Sequence, residues 1–367
     1  MISDRRTVYT VLPGNVDDPG APSGGNTYDR RVCRELAGTG WSVHEITAPG
    51  AWPQPAPADR AALATALAAV PERAVVLLDG LVACAAPDVV VPEAGRLRPV
   101  VLVHLPLADE TGLTRRAASE LHRRERQTLL AADAVVATSD WAARRLVGRH
   151  PLPAGRLHVA APGVDPAPPA PGTDGVSRLL CVAAVTPRKG HDLLVEALAI
   201  AADRRLECVC VGDLDRAPGH AARVRRAVRA HRLGDRVRLV GARTGDDLAR
   251  AYAAADLLVL ASRTETYGMV VTEALARGVP VLATDTGGVA EALGRAPDGA
   301  HPGMLVPPAD PAALAAGLRR WLDDPGWRRD LRRAAAARRR TLPGWQATAA
   351  ALSAVLTDLV PTVGRNG

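Results

Sequence analysis

Residues able to do chemistry concentrate between Ala255 and Ala292, where two carboxylates, Glu265 and Glu273, stand eight positions apart. The apolar run Leu257–Leu260 predicts a buried strand of a parallel sheet. A polar turn over 262–268 follows, then a helix from Met269 to about Arg277, closed by Gly278 and Pro280. A second strand, Val279–Thr284, runs into the glycine turn Asp285-Thr286-Gly287-Gly288-Val289, which opens another short helix. Two strand ends therefore each meet a helix N-terminus, where free N–H groups and the helix dipole favour an anion such as phosphate. With the helix starting near Gly268, Glu273 falls on its second turn, and Glu265 projects from the strand end towards the same space. A phosphate at the helix tip with a carboxylate for hydroxyls on either side suits a nucleotide-sugar. On spacing alone, two solvated surface glutamates are the favoured reading.

Two further places carry candidates. Ser23-Gly24-Gly25-Asn26 lies between a first strand, Thr7–Leu12, and a helix predicted over Tyr28–Thr39, so its glycines let a ligand approach the backbone. His104 ends the apolar strand Pro99–Leu105, and in open α/β sheets that end faces the ligand crevice. A lone histidine there is also an ordinary packed residue, but its imidazole has the chemistry to take a hydroxyl proton. The five cysteines include no Cys-x-x-Cys, and Cys208 and Cys210 alternate within a strand, which predicts buried thiols and not zinc ligands.

Composition bounds the partners. The chain has 367 residues, 47% hydrophobic, enough for two domains with their own cores. No apolar stretch has the length of a membrane span, and the opening residues lack an export signal's apolar core, so a soluble cytoplasmic protein is expected. A net charge of +7 favours anionic partners: a nucleotide-sugar, a phosphorylated acceptor or a membrane surface. Heavy use of Ala, Arg and Pro also points to a GC-rich coding origin. Aromatics are only 3% and no binding motif stands out, which argues against nucleic acid. The amphipathic stretch Thr114–Ala131, with Arg115, Arg116, Arg123, Arg124 and Arg126, reads either as a solvated helix face or as a surface for anionic lipid. It lacks the exposed aromatics that membrane binding would add.

Strands and helices alternate through both halves, which predicts α/β architecture. Proline-rich Pro166–Gly175 divides the halves, giving domains at 1–168 and 169–344.

The string ETYGMVVTEALARGVPVLATDTGG (265–288) resembles the signature of the family four retaining glycosyltransferases, which have the GT-B fold: two Rossmann-like domains facing a central cleft. Tyr267 stands where that family more often has Phe. Further matches are Ser139-Asp140-Trp141, Pro162-Gly163-Val164-Asp165 and Lys189-Gly190. The resemblance implies that Glu265 contacts the donor sugar, Glu273 the ribose, and the N–H groups of Tyr267, Gly268 and Met269 the distal phosphate. It implies that Lys189 holds the diphosphate, that Gly241 lies near the base, and that Gly25 faces the diphosphate. It assigns Gly24, Asn26 and His104 to the acceptor, with Glu265, Lys189 and His104 as catalytic residues. It also implies an acceptor domain first, a donor domain second, and a last helix (about 345–360) packing back on the first. One departure stands out: many relatives carry Gly-Arg shortly before the lysine, where this chain has Ala183 and Ala184. Arg188 is the candidate replacement, starting from a different place on the loop. The string Asp213-Leu214-Asp215 resembles the metal motif of the other large glycosyltransferase fold, but the order of elements is wrong for it, and no metal is expected.

The implied activity is transfer of a sugar from a nucleoside-diphosphate sugar, of UDP or GDP type, to a hydroxyl or amine of a small-molecule or lipid-linked acceptor, without a separate cofactor. A nucleotide-sugar epimerase, a sugar phosphorylase and a degenerate nucleotide-sugar-binding protein are the alternatives.

Overall fold

The computed structural model describes residues 6–20 and 22–360; the opening residues read above for an export signal lie outside these, save Arg6. The chain forms two compact units. The first is built on residues 6–17, 23–163 and 345–360, and the second on 164–344 together with 18–20 and 22.

Six parallel strands form the first sheet: β1 (Arg6–Pro13), β2 (Trp41–Ala48), β3 (Val75–Asp79), β4 (Arg98–Val103), β5 (Ala134–Ala137) and β6 (Leu157–Val159), in the order β2-β1-β3-β4-β5-β6. Central strands β3, β4 and β5 are buried almost throughout, as an apolar run demands when helices cover both faces. Val76, Leu78, Val101, Val103 and Val135 join Leu63, Leu67, Leu129 and Leu146 of the covering helices in one core cluster. The second unit repeats the plan with β7 (Arg178–Val182), β8 (Glu207–Val211), β9 (Val237–Leu239), β10 (Leu257–Leu260), β11 (Val281–Thr284) and β12 (Gly303–Val306), in the order β12-β11-β10-β7-β8-β9.

The last helix, Trp345–Leu359, belongs to the first unit. Trp345 sets its ring edge-on to Tyr28 at 5.7 Å, and the Trp41 indole N–H donates to Ser353 Oγ at 2.9 Å. Thr348 Oγ1 donates to the Ala161 carbonyl at 2.8 Å, while Leu352 and Leu356 are fully buried.

The glycine turn after the first strand differs from expectation. Gly24, Gly25 and Asn26 are not a loop; they form the first turn of a helix running Gly24–Gly38. Ser23 explains this: its side chain accepts from Asn26 N at 3.0 Å, and such a cap contributes about 1 kcal/mol, offsetting much of the glycines' poor propensity. Three helices went unforeseen, at Gly80–Ala83, Pro87–Glu93 and Pro218–Ala230.

Trp345 is 4% exposed, so Trp345→Ala leaves a cavity beside Tyr28 and should lower unfolding free energy by about 3–5 kcal/mol, read by urea denaturation.

Candidate functional site

In the second sheet the chain leaves β7 for β8 and β9 on one side, then returns to β7's other side as β10. The connections after β7 and β10 thus run in opposite directions, and the crevice beyond such a switch point is where open α/β sheets take ligands. Lys189 lies on the loop after β7 and Glu265 on the loop after β10. They meet: Lys189 Nζ is 2.5 Å from Glu265 Oε1. Ser262 Oγ donates to the same oxygen at 2.8 Å. Arg188 Nη1 stands 3.7 Å from Glu265 Oε2 and donates to the Thr264 carbonyl at 3.1 Å. Arg263, on the loop after β10, donates from both Nη atoms to Asp192 in the helix after β7, at 2.7 and 2.9 Å.

Glycine makes this approach possible. Gly190 has φ of 67°, and a methyl group on it would lie 1.9 Å from the Ala261 carbonyl at the end of β10. Gly287, with φ of 63°, would place a methyl group 1.5 Å from the Glu265 carbonyl. The two turns singled out in the sequence therefore press directly on the Glu265 loop, and Gly288 N donates to Glu265 O at 3.0 Å.

Burial by itself raises the Glu265 pKa, but Lys189 and Arg188 outweigh it and hold the carboxyl below its usual range. Burial depresses the Lys189 ammonium, and Arg188's like charge adds to this against the pull of Glu265. Glu273 has a different partner: Tyr252 donates its hydroxyl to Oε2 at 2.6 Å, with Arg277 lying 4.5 Å over the Tyr252 ring. Burial raises the Glu273 pKa despite both neighbours. Tyr252, 21 positions earlier, was missed in the sequence, since only packing brings the two together. The helix carrying Glu273 runs Met269–Leu275, about two residues shorter than expected, with Gly268 at φ of 96° before it. Tyr267 is buried in an apolar cluster that also takes the part-buried Met269. Gly241 follows β9, and its carbonyl accepts from Gly212 N at 2.9 Å.

The first sheet has its own switch point, between β1 and β3. Asp79 ends β3, His104 follows β4, and Asp29 lies on the helix Gly24–Gly38 after β1. His104 Nε2 is 2.8 Å from Asp29 Oδ1 and 3.6 Å from Asp79 Oδ2. Gly25 lies against the imidazole, where a methyl group would come within 3.1 Å of Cδ2. Asn26 donates from Nδ2 to the Asn15 carbonyl, and Gly24 opens the same turn. Burial, then the charge of Asp29, push Asp79 up to about 7 against the opposing effect of His104. Burial lowers His104, but Asp29 and Asp79 together carry it above its ordinary value. Asp29 and Asp79 were not among the sequence candidates; the strand end at Asp79-Gly80 was the available signal.

Among the described residues, three sets of side chains offer metal-ligating atoms within 4.8 Å of one another: Cys181–His191–Cys210, His122–Glu125–His150 and Asp29–Asp79–His104. All five cysteines are buried free thiols. Asp213, in the Asp-Leu-Asp string, accepts from Asp215 N and Arg216 N in a local turn. No described helix is long and apolar enough to cross a membrane.

Residues 171–338 match the family model described as glycosyl transferases group 1, and residues 22–168 match that of glycosyltransferase family 4. The chain is 36% identical over 251 residues to a D-inositol 3-phosphate glycosyltransferase of Kineococcus radiotolerans, covering 62% of this chain and 57% of that protein. A protein of the same name from Thermobispora bispora is 36% identical over 260 residues, covering 66% and 59%. The matches thus span less than two thirds of these relatives' length. Among solved structures, sucrose-phosphate synthase from Thermosynechococcus elongatus aligns over 97% of this chain and 99% of its own, with a TM-score of 0.78 at 24% identity. The Anabaena protein HepE, solved with UDP and glucose, aligns over 95% and 99% with a TM-score of 0.76 at 17% identity. These likenesses show the fold: α/β, of the GT-B kind.

Because burial and Asp29 push the Asp79 pKa up to about 7 in the folded state, against 3.8 for an unperturbed aspartate, the folded state binds a proton that the unfolded state releases in between. Stability from this group therefore falls as pH rises from about 4 to 7. His104, raised when folded, contributes stability that is present below about 6.5 and lost as pH climbs through its folded value. Asp79→Asn should gain on wild type across that window, by on the order of 2 kcal/mol in unfolding free energy, measured by denaturant titration at successive pH values.

Proposed function

We propose, because the chain belongs to the group 1, family 4 glycosyltransferases, that it moves a sugar from a nucleoside-diphosphate sugar to a hydroxyl or amine acceptor. The transfer retains the configuration of the sugar, needs no metal ion and takes place in the cytoplasm. The observation that carries this reading is the convergence of Lys189 and Arg188 on Glu265 at the β7–β10 switch point.

Lys189 and Arg188 hold the diphosphate. As the bond from the sugar to the diphosphate breaks, negative charge grows on the leaving phosphate, and cations already in place stabilise it without rearranging. Arg188 takes the part of the arginine missing at Ala184. Glu265 receives the hydroxyls of the transferring sugar, and Glu273, fixed by Tyr252, those of the ribose. The N–H groups of Tyr267, Gly268 and Met269 serve the distal phosphate and Gly241 the base, and the family resemblance adds Gly25 to the donor-binding residues. Gly24, Asn26 and His104 serve the acceptor. The donor is of UDP or GDP type, and HepE's complexes with UDP and UDP-glucose favour the first of these. The relatives named for D-inositol 3-phosphate support a small polyhydroxyl acceptor.

Thermal unfolding with UDP, GDP, ADP and TDP, with and without magnesium, tests the donor site. One diphosphate should stabilise the protein irrespective of magnesium, by about 2.7 kcal/mol at a hundredfold excess over its dissociation constant. Lys189→Met should abolish most of that shift and cut turnover roughly 10²–10³-fold. Glu265→Gln should bind the diphosphate at least as tightly, its cations freed of their partner, yet lose sugar transfer. No shift with any nucleotide would defeat the reading, and a shift without any turnover would favour a degenerate nucleotide-sugar-binding protein. Nucleotide release without transfer would point to an epimerase, and dependence on inorganic phosphate to a phosphorylase.

A further inference from the structure

The proposed reaction uses His104 but gives no part to the two buried carboxylates beside it. Asp29 is 3% exposed and Asp79 5%, and the Oδ2 of Asp29 is buried without a hydrogen-bond partner among the described residues. A carboxylate has no proton to give. The 2.8 Å contact from Asp29 Oδ1 to His104 Nε2 therefore requires the proton to sit on Nε2. In the neutral ring that leaves Nδ1 with a lone pair, and no described residue bonds to Nδ1. The ring has little freedom to exchange its nitrogens: Tyr28 meets it edge-on at 5.1 Å, and Gly25 lies against Cδ2. Tyr28 is itself anchored by donating to the Ala160 carbonyl at 2.8 Å.

We propose that Asp29 is a positioning residue that fixes His104 as the Nε2–H tautomer, so that Nδ1 accepts a hydrogen bond from a neutral substrate hydroxyl, and that Asp79 bars an anionic group from the same place. The inference rests on the glycosyltransferase reading only in taking that hydroxyl to be the acceptor's. The groups facing the imidazole are few. The helix Gly24–Gly38 supplies Asp29 and Tyr28, with Cys33 one turn beyond; β3 supplies Asp79, with Cys84 after the short helix that follows. No lysine or arginine ion-pairs with Asp29 or Asp79 among the described residues. A phosphate or carboxylate would thus meet two carboxylates with only the imidazole to offset them, whereas a hydroxyl meets a ready acceptor. When Asp79 is protonated it can share its proton with Asp29, which keeps the cluster near neutrality and spares the cost of two adjacent buried charges.

The test is long-range ¹⁵N–¹H NMR of the full chain labelled at histidine, with the His104 signals assigned from His104→Gln. Wild type should show the Nε2–H form above pH 8 and a titration midpoint above the ordinary value of about 6.5. An amide in place of a carboxylate admits the wrong tautomer, so Asp29→Asn should give a mixture and lower the midpoint by about one pH unit or more. Asp79→Asn, whose amide oxygen can still accept from Val82 N, should lower the midpoint less and leave the tautomer alone. Inorganic phosphate at millimolar concentration should leave the His104 signals in place. An Nδ1–H form in wild type overturns the proposal, as does a folded Asp29→Asn protein with unchanged tautomer and midpoint. A saturable phosphate shift overturns the part concerning charge. If Asp29→Asn does not fold, the wild-type tautomer and the Asp79→Asn midpoint decide. None of these readings needs a donor or turnover. Failure to bind any nucleotide defeats the glycosyltransferase reading alone, and the wrong tautomer in an active enzyme defeats this inference alone.

Discussion

The candidate site of the second unit is organised around one ion pair. Lys189 and Glu265 come from loops 76 positions apart, and both are largely withdrawn from water. Such a pair adds little net stability, because desolvating two charges costs about as much as their attraction returns. Removing either partner alone is costly, since it strands a buried charge. Its retention makes sense where the charges have another use. An anion arriving beside Lys189 and Arg188 would draw on cations whose desolvation has already been met by Glu265.

The surroundings serve that pair. Arg263 ties the loop after β10 to the helix after β7 through Asp192, and its backbone N–H donates to the Arg188 carbonyl at 2.8 Å. Gly190 and Gly287 let two backbones touch where any side chain would force them apart. Glu273 stands apart from this network. Its partner is a neutral phenol, and its pKa is raised where that of Glu265 is lowered. Two glutamates on one short stretch thus acquire opposite electrostatic characters from their neighbours.

The first unit meets the same topological condition with different chemistry. At its switch point the sheet brings together an imidazole and two carboxylates, with no guanidinium or ammonium ion-paired to them among the described residues. Two six-stranded parallel sheets therefore present contrasting sites, one cationic around a single carboxylate and one acidic around a single histidine. The net charge of the whole chain says nothing of this contrast.

Much of the architecture is legible in the residues themselves. The apolar run Leu257–Leu260 coincides with a strand to the residue, because only a strand buried on both faces tolerates so little polarity. Trp345–Leu359 is likewise a helix with the expected bounds. Glycine turns and spacing brought Glu265 and Glu273 forward as candidates, and the family resemblance gave them and Lys189 their roles; both rest on local strings of residues. What the sequence left open is whatever joins distant segments. Ser23's cap pulled Gly24 and Gly25 into a helix, a matter of one hydrogen bond. Tyr252 reached Glu273, and Asp29 and Asp79 reached His104, through strand order and helix packing. A carboxylate's partner, and hence its charge state, is decided by which chain ends the sheet places side by side; spacing along the chain carries no record of that.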